Sequence, residues 1–208
     1  MNRWMKSVGM LAGVGLAATV ASSVALSQQQ GEMTPEQAQA MQNWQDYATP
    51  GKEHEMLKHF AGEWDVKMVM WEEPGSAPNE SMAESHCKMI YDGKFLVEKM
   101  KGTFDWGGMT FDFEGMGTTG YDNLQDKYVF TWMDNMGTGI MTGYGTSTDG
   151  GKTIKFQSEC PNPVTMEMEK CESVSKIVND DTHMFIMYKP DSNGKMFKHM
   201  EATYMRKK

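Results

Sequence analysis

The sequence predicts an all-β fold: an antiparallel up-and-down barrel of about ten strands, preceded by one or two short N-terminal helices. Three observations carry that reading. From Glu63 onward, large apolar residues alternate with polar ones at a period of two, as strands with one wet face require. Turn signals recur roughly every 8–15 residues along the same stretch. A sheet of about ten strands removes its exposed edges best by closing on itself.

The helices come first. Thr34-Pro35-Glu36-Gln37 reads as a helix start, with Thr34 as N-cap, Pro35 at the first helical position and Gln37 completing a capping box. That helix runs to about Tyr47 and stops near Pro50-Gly51. Its Met41 and Trp44 form a small apolar stripe suited to docking on the domain, to capping a barrel mouth or to a homodimer contact. A second short helix, about Lys52 to Phe60, carries Met56, Leu57 and Phe60 and ends at Gly62.

The strands follow. Trp64, Val66, Met68 and Met70 share one face, as do Leu96, Glu98, Met100 and Phe104 after the turn Tyr91-Asp92-Gly93-Lys94. Tyr128, Phe130 and Trp132 form another such set. Ile154 and Phe156 follow Asp149-Gly150-Gly151. Phe185 and Met187 precede the turn Lys189-Pro190-Asp191-Ser192-Asn193-Gly194, and Lys195 to Arg206 closes the chain.

Residues 1–27 read as a secretory signal peptide: Arg3 and Lys6, then the apolar run Val8 to Val20, then Ala25-Leu26-Ser27 before the cut, with a second acceptable cut after Ala21. The organisation expected is therefore signal peptide 1–27, N-terminal helix and linker 28–50, and barrel domain 51–208. The protein is expected to be exported, periplasmic or secreted, with no membrane span once the signal is removed. Loss of Arg3 and Lys6 takes the formal charge from −8 to −10. An acidic surface without a basic stripe disfavours nucleic acid.

Three cysteines remain, Cys87, Cys160 and Cys171. In an oxidising compartment a local Cys160–Cys171 bridge across Pro161 and Pro163 is the natural pairing. Of the 23 methionines, three leave with the signal, whereas the mature chain keeps only Leu57, Leu96 and Leu124 as leucines. Methionine has thus taken over the packing task of leucine, in an adaptable, oxidisable interior.

The segments Pro50-Gly51-x-x-His54-x-x-Leu57, Gly62-x-Trp64-Asp65-Val66, Tyr91-Asp92-Gly93-Lys94-Phe95-Leu96 and Gly120-Tyr121-Asp122-Asn123 resemble the DUF1579 family. So do Thr131-Trp132-Met133-Asp134-Asn135-Met136-Gly137-Thr138-Gly139 and Met200-Glu201-x-x-Tyr204-x-Arg206-Lys207. The resemblance spans about residues 48–208 and implies a calycin-like barrel of unknown function. Such a barrel can enclose one small ligand. Trp64, Met68, Met70, Phe95, Phe113, Trp132, Tyr144 and Phe185 are the candidate lining residues for a small apolar or amphipathic molecule, and no cofactor is identified.

Two alternatives rest on particular residues. The closing strand His199-Met200-x-Ala202-x-Tyr204-x-Arg206 is similar to that of nitrobindin-type haem barrels, which makes His199 a candidate iron ligand. Strict alternation places His199 with Phe197, Glu201, Thr203 and Met205, opposite the more apolar Met200, Ala202 and Tyr204, so an exposed strand histidine is the plainer reading. Met68-x-Met70 and Met166-x-Met168 are thioether pairs that could take Cu(I), although core packing accounts for them and no histidine accompanies them. No G-x-S-x-G, H-E-x-x-H or C-x-x-C occurs. His54 and His59, five apart, do not share a helix face. Asp122-Asn123 and Asp134-Asn135 read as turns, with a buried, shifted aspartate as the exception to test.

Overall fold

The computed structural model describes residues 33–106 and 108–208; the expected signal peptide lies outside them. Two units separate by their internal contacts, residues up to Asn43 and Trp44–Lys208. Helix α1 (Pro35–Ala48) starts in the first and ends in the second. Its start is the reciprocal capping box: the Gln37 amide N–H donates to Thr34 Oγ1 at 3.3 Å, and the Thr34 N–H donates to Gln37 Oε1 at 2.9 Å. No α1 residue is buried, and Met41 and Trp44 are both exposed.

In the second unit, α2 (Lys52–Leu57) tightens into a 3-10 turn at Lys58–Phe60. Ten strands follow: β1 (Gly62–Met70), β2 (Asn79–Ile90), β3 (Phe95–Trp106), β4 (Met109–Asp122), β5 (Lys127–Asp134), β6 (Met141–Thr146), β7 (Thr153–Asn162), β8 (Glu167–Asn179), β9 (Thr182–Pro190) and β10 (Met196–Arg206). Each pairs antiparallel with its sequence neighbours, and β1 pairs with β10, so the sheet is a closed up-and-down barrel. Every strand thereby gains partners on both edges.

The turns form as their residues demand. Tyr91 and Asp92 take left-handed backbone before Gly93. Asp122 Oδ1 accepts from the Leu124 amide at 2.8 Å, and Asp191 Oδ1 accepts from Asn193 at 2.8 Å and Lys195 at 2.9 Å. Asn123 turns away from its own loop: its Nδ2 donates to the carbonyls of Asp46, Tyr47 and Thr49 at 2.9–3.1 Å, satisfying carbonyls that the end of α1 leaves open.

Alternation carries one side of each strand inward: Trp64, Val66 and Met68 on β1, Ala83, Ser85 and Cys87 on β2, Ile154 and Phe156 on β7. Segment α2 closes one end. Leu57 and Phe60 are buried there, Phe60 packs on His183, His54 on Tyr121, and Met56 lies against Gly151 and Tyr128. The His54 ring serves this seal: its Nδ1 accepts from the Gly51 amide at 3.0 Å, and burial lowers its pKa. A second lock joins the start of β1 to the end of β10. Arg206 donates to the carbonyls of Ala61 at 2.9 Å and His59 at 3.1 Å, with its guanidinium 4.1 Å above the Trp64 ring. Gly62, at φ 140°, leaves the space that the guanidinium fills.

Glycines also shape the inner wall. Gly115 and Gly117 lie under the Trp132 ring, Gly143 under Phe130 and Gly145 under Phe156, so these rings lie flat against neighbouring strands. A side chain at Gly143 would collide with Phe130. We expect Gly143→Val to cost about 1–3 kcal/mol by overpacking, read as a lower urea midpoint. Gly137→Ala, in open space, should leave the midpoint within about 0.5 kcal/mol; equal effects would refute this account of the wall.

Candidate ligand site in the barrel interior

The inner wall is filled unevenly. Towards the α2 end, inner residues such as Trp64, Val66, Tyr128, Ile154, Phe156 and Tyr204 are all at most 5% exposed. Towards the opposite end, inner residues including Met70, Phe113, Trp132, Met141, Met187 and Met200 are only part-buried. Solvent therefore reaches inner-face side chains from the end opposite α2. That end is the mouth, bordered by the β1–β2, β5–β6, β7–β8 and β9–β10 connections.

Of the predicted lining residues, Trp64, Met68, Met70, Phe113, Trp132 and Phe185 share this inner face. Trp64 and Met68 lie deep, as filled core. Phe113 stacks on Trp132 with ring centroids 6.4 Å apart, and the Trp132 indole N–H donates to Asp134 Oδ2 at 2.9 Å, which fixes the ring. Phe95 and Tyr144 must be corrected: both point outward, 40% and 47% exposed. Phe95 covers Gly120 on the outer surface. Tyr144 stands between Gly143 and Gly145. The glycines are instead the inward positions, and Phe130 and Phe156 occupy the space above them.

Sequence reasoning missed the polar group at the centre of the wall. Glu98 stands on the inner face of β3 between Leu96 and Met100, and its Oε1 accepts from the Ser85 hydroxyl at 2.6 Å. The Tyr204 hydroxyl also bonds this carboxyl, and Cys87 is its cross-strand neighbour. Loss of hydration raises the Glu98 pKa, and the bonds from the Ser85 and Tyr204 hydroxyls act in the opposite direction. The same burial, with the Glu98 charge second, raises the Cys87 thiol and the Tyr204 phenol well above their usual values. The signal was present in the sequence: a glutamate in register with Leu96, Met100 and Phe104 on an otherwise apolar face.

Two further buried polar atoms face this interior without a protein partner, Ser173 Oγ and His183 Nε2. His183 is enclosed by Phe60, Trp64 and Tyr204, its ring stacked 4.1 Å from that of Tyr204. Burial, then the nearby Arg206 charge, pushes its pKa down to about 3. Tyr128 Oη is likewise buried and unpartnered, with a pKa pushed up to about 12 by burial first.

The raised Glu98 pKa has a testable consequence. The folded state keeps a proton that the unfolded chain releases near 4.5, so stability present at low pH is lost as pH rises through the folded value. Glu98→Gln should flatten this fall above about pH 4.5, where each pH unit separating the unfolded from the folded pKa is worth roughly 1.4 kcal/mol. Parallel urea-midpoint profiles for the two proteins would contradict it.

His199 also needs correction, because it is not an exposed strand residue. A β-bulge between Lys198 and Met200 shifts the register of β10 against β9. Phe197 consequently pairs with Lys189, which shares the inner parity of His183, Phe185 and Met187. His199 is half-buried at the mouth, its Nδ1 bonded to the Trp71 carbonyl at 2.8 Å. Burial lowers its pKa, the Trp71 bond opposes that, and the charges acting on it belong to Lys189 and Glu169. Met166 and Met168 are exposed, away from Met68 and Met70. Asp122 is a turn residue whose pKa is lowered, chiefly by Gln125, so it is not a buried acid.

Cys160 and Cys171 form a disulfide with Cα atoms 6.0 Å apart, and the Cys160 Sγ lies 3.4 Å from Met141 Sδ. Cys87 is free and buried. Among the described residues no helix is long and apolar enough to cross a membrane.

The chain is similar to several solved structures. Rv2717c from M. tuberculosis aligns with a TM-score of 0.53 at 16% identity, over 77% of this chain and 100% of that one. A redesigned β-barrel, b11L5F_LGL, gives a TM-score of 0.37 at 16% identity over 76% and 96% of the two chains. EF1p2_mFAP2b bound to DFHBI gives 0.41 at 10% identity over 74% and 99%. At these identities the first likeness speaks for the fold alone. No curated protein matches the chain. The profile described as "Protein of unknown function (DUF1579)" matches residues 49–206, the whole barrel with α2, and the chain therefore belongs to the DUF1579 family.

Proposed function

We propose that this barrel is an exported, non-catalytic binding protein whose interior holds one small amphipathic molecule. The carrying observation is the contrast along the inner wall: packed solid towards α2, part-accessible towards the mouth, with the Glu98 carboxyl set into it. Methionine and aromatic side chains there suit an apolar body and can repack around it. A carboxyl whose pKa is raised by burial can donate as well as accept, so it suits a hydroxyl, amide or amine head. An apolar molecule with no polar end would leave Glu98 without an added partner in a drier interior, which is unfavourable.

Binding is favoured over catalysis by the groups beside Glu98. Burial raises both the Cys87 thiol and the Tyr204 phenol, so neither is an activated nucleophile at neutral pH. Export rests on the charged and apolar N-terminal pattern.

Native mass spectrometry of the purified protein, followed by titration with a panel of single-chain alcohols, amides and amines, tests this reading. The expected result is a 1:1 adduct that Glu98→Leu weakens at least tenfold, about 1.4 kcal/mol. Absence of any retained ligand and of any adduct across the panel would refute it. An amine held by wild type but not by Glu98→Gln would specify a cationic head.

A further inference from the structure

Three methionines stand side by side on the inner wall at the mouth. Met70 is the register partner of Met200, and Met200 is the register partner of Met187. Parity puts all three on the face of Met68, Ala202 and Phe185. Adjacent strands lie about 4.8 Å apart, so the three thioethers start within roughly 10 Å along the wall. Each rides on an unbranched arm able to bring its sulfur to a common point. All three are part-accessible, whereas Met68 in the next layer is buried.

His199 precedes Met200 at the β10 bulge, and two bonds tie it to the end of β1. The Trp71 amide donates to the His199 carbonyl at 2.8 Å, and the ring Nδ1 meets the Trp71 carbonyl at 2.8 Å. A carbonyl only accepts, so the ring proton sits on Nδ1 and the neutral ring keeps its lone pair on Nε2. This is the orientation in which a backbone carbonyl prepares a histidine to ligate a metal.

We propose that Met70, Met187, Met200 and the Nε2 of His199 form a Cu(I) site at the barrel mouth. Thioether sulfur is soft and neutral, which selects a soft monovalent ion over hard divalent ones. Among the described residues no group of three or more His, Cys, Asp or Glu is placed to hold a metal, so a harder, anionic donor set does not compete. The nearby charges are balanced, Lys189 by Glu169, whose Oε2 accepts from Asn162 Nδ2 at 3.1 Å. Neither the amphipathic ligand nor Glu98 enters this inference.

The test is anaerobic Cu(I) titration of the mature protein against a chromophoric chelator, with Ag(I) as a redox-inert probe. We expect one equivalent per chain. Met187→Leu combined with Met200→Leu, which nearly conserves volume, should weaken binding at least tenfold, and His199→Gln should weaken it as well. Met116→Leu with Met133→Leu, an outward cross-strand pair, should change nothing. Methionine methyl spectra read the same site in the wild-type fold: Ag(I) should move the Met70, Met187 and Met200 signals and leave Met116 and Met133 in place. Unchanged affinity in the inner variants, or equal loss in the outer control, overturns the site. A Soret band on haem addition without any Ag(I)-dependent shift of the inner methyls also overturns it, assigning His199 to iron instead.

Discussion

Trp64→Ala should lower the stability of the barrel by about 4 kcal/mol, the largest loss expected from any single substitution considered. The ring is 1% exposed and fills the α2 end between His183 and the Arg206 guanidinium. Its removal opens a cavity that the rigid sheet around it cannot collapse into. It also orphans the Phe60 carbonyl, which accepts from the Trp64 indole N–H at 2.9 Å, and removes the cation–π contact of Arg206. Arg206 would keep its bonds to Ala61 and His59, so the start of β1 and the end of β10 should stay paired and the native fold persist. Trp64→Phe separates these contributions: it keeps most of the packing and loses the indole bond, for about 1–2 kcal/mol. Urea unfolding followed by far-ultraviolet circular dichroism measures both. A loss below about 1 kcal/mol for the alanine variant would show that α2 and its seal are not part of the cooperative core.

Acidification should destabilise the protein through His183, and His183→Phe should relieve that loss. In the unfolded chain the imidazole takes a proton near pH 6.5, whereas in the fold it does so only near 3. Between those values the unfolded state binds the extra proton, so stability present above about pH 6.5 falls as the pH is lowered towards 3. Each pH unit of that gap is worth roughly 1.4 kcal/mol, which makes the whole effect several kcal/mol. Glu98 acts with the opposite sign in the acid range, so the wild-type profile alone mixes the two. The difference between His183→Phe and wild type, measured at about pH 7.5 and about pH 4.5, isolates the histidine. Phenylalanine retains a ring against Phe60, Trp64 and Tyr204 and removes the unpartnered Nε2. The variant should gain on the wild type as the pH falls; an unchanged difference would mean that His183 is protonated in the fold.

The balance of these charges shows where sequence reading stopped. Glu98 was visible as a glutamate on an apolar strand face, yet nothing local showed that Ser85 and Tyr204 reach the same carboxyl. His183 is the second residue of β9 and carried no pattern of its own; its meaning comes from rings on the 3-10 turn, β1 and β10. Tyr144 was misplaced because the glycines on either side of it are the inward positions, and the rings of neighbouring strands fill the space above them. Phe95 was misplaced although Leu96, next to it on β3, already held the inner face. His199 was misplaced because alternation was carried through a bulge.

What the sequence by itself determined is the local part of this protein. The capping box at Thr34 and Gln37, the turns at Tyr91–Lys94 and Asp191–Gly194, and a barrel of ten strands rest on signals a few residues long. The tertiary structure alone decided which face of a strand is the inside beside glycines and bulges, and which distant residues become neighbours. A period of two separates the faces of a strand without relating them to those of strands far along the chain. Trp71 and His199 are 128 positions apart, and closure of β1 on β10 is what brings them within a hydrogen bond.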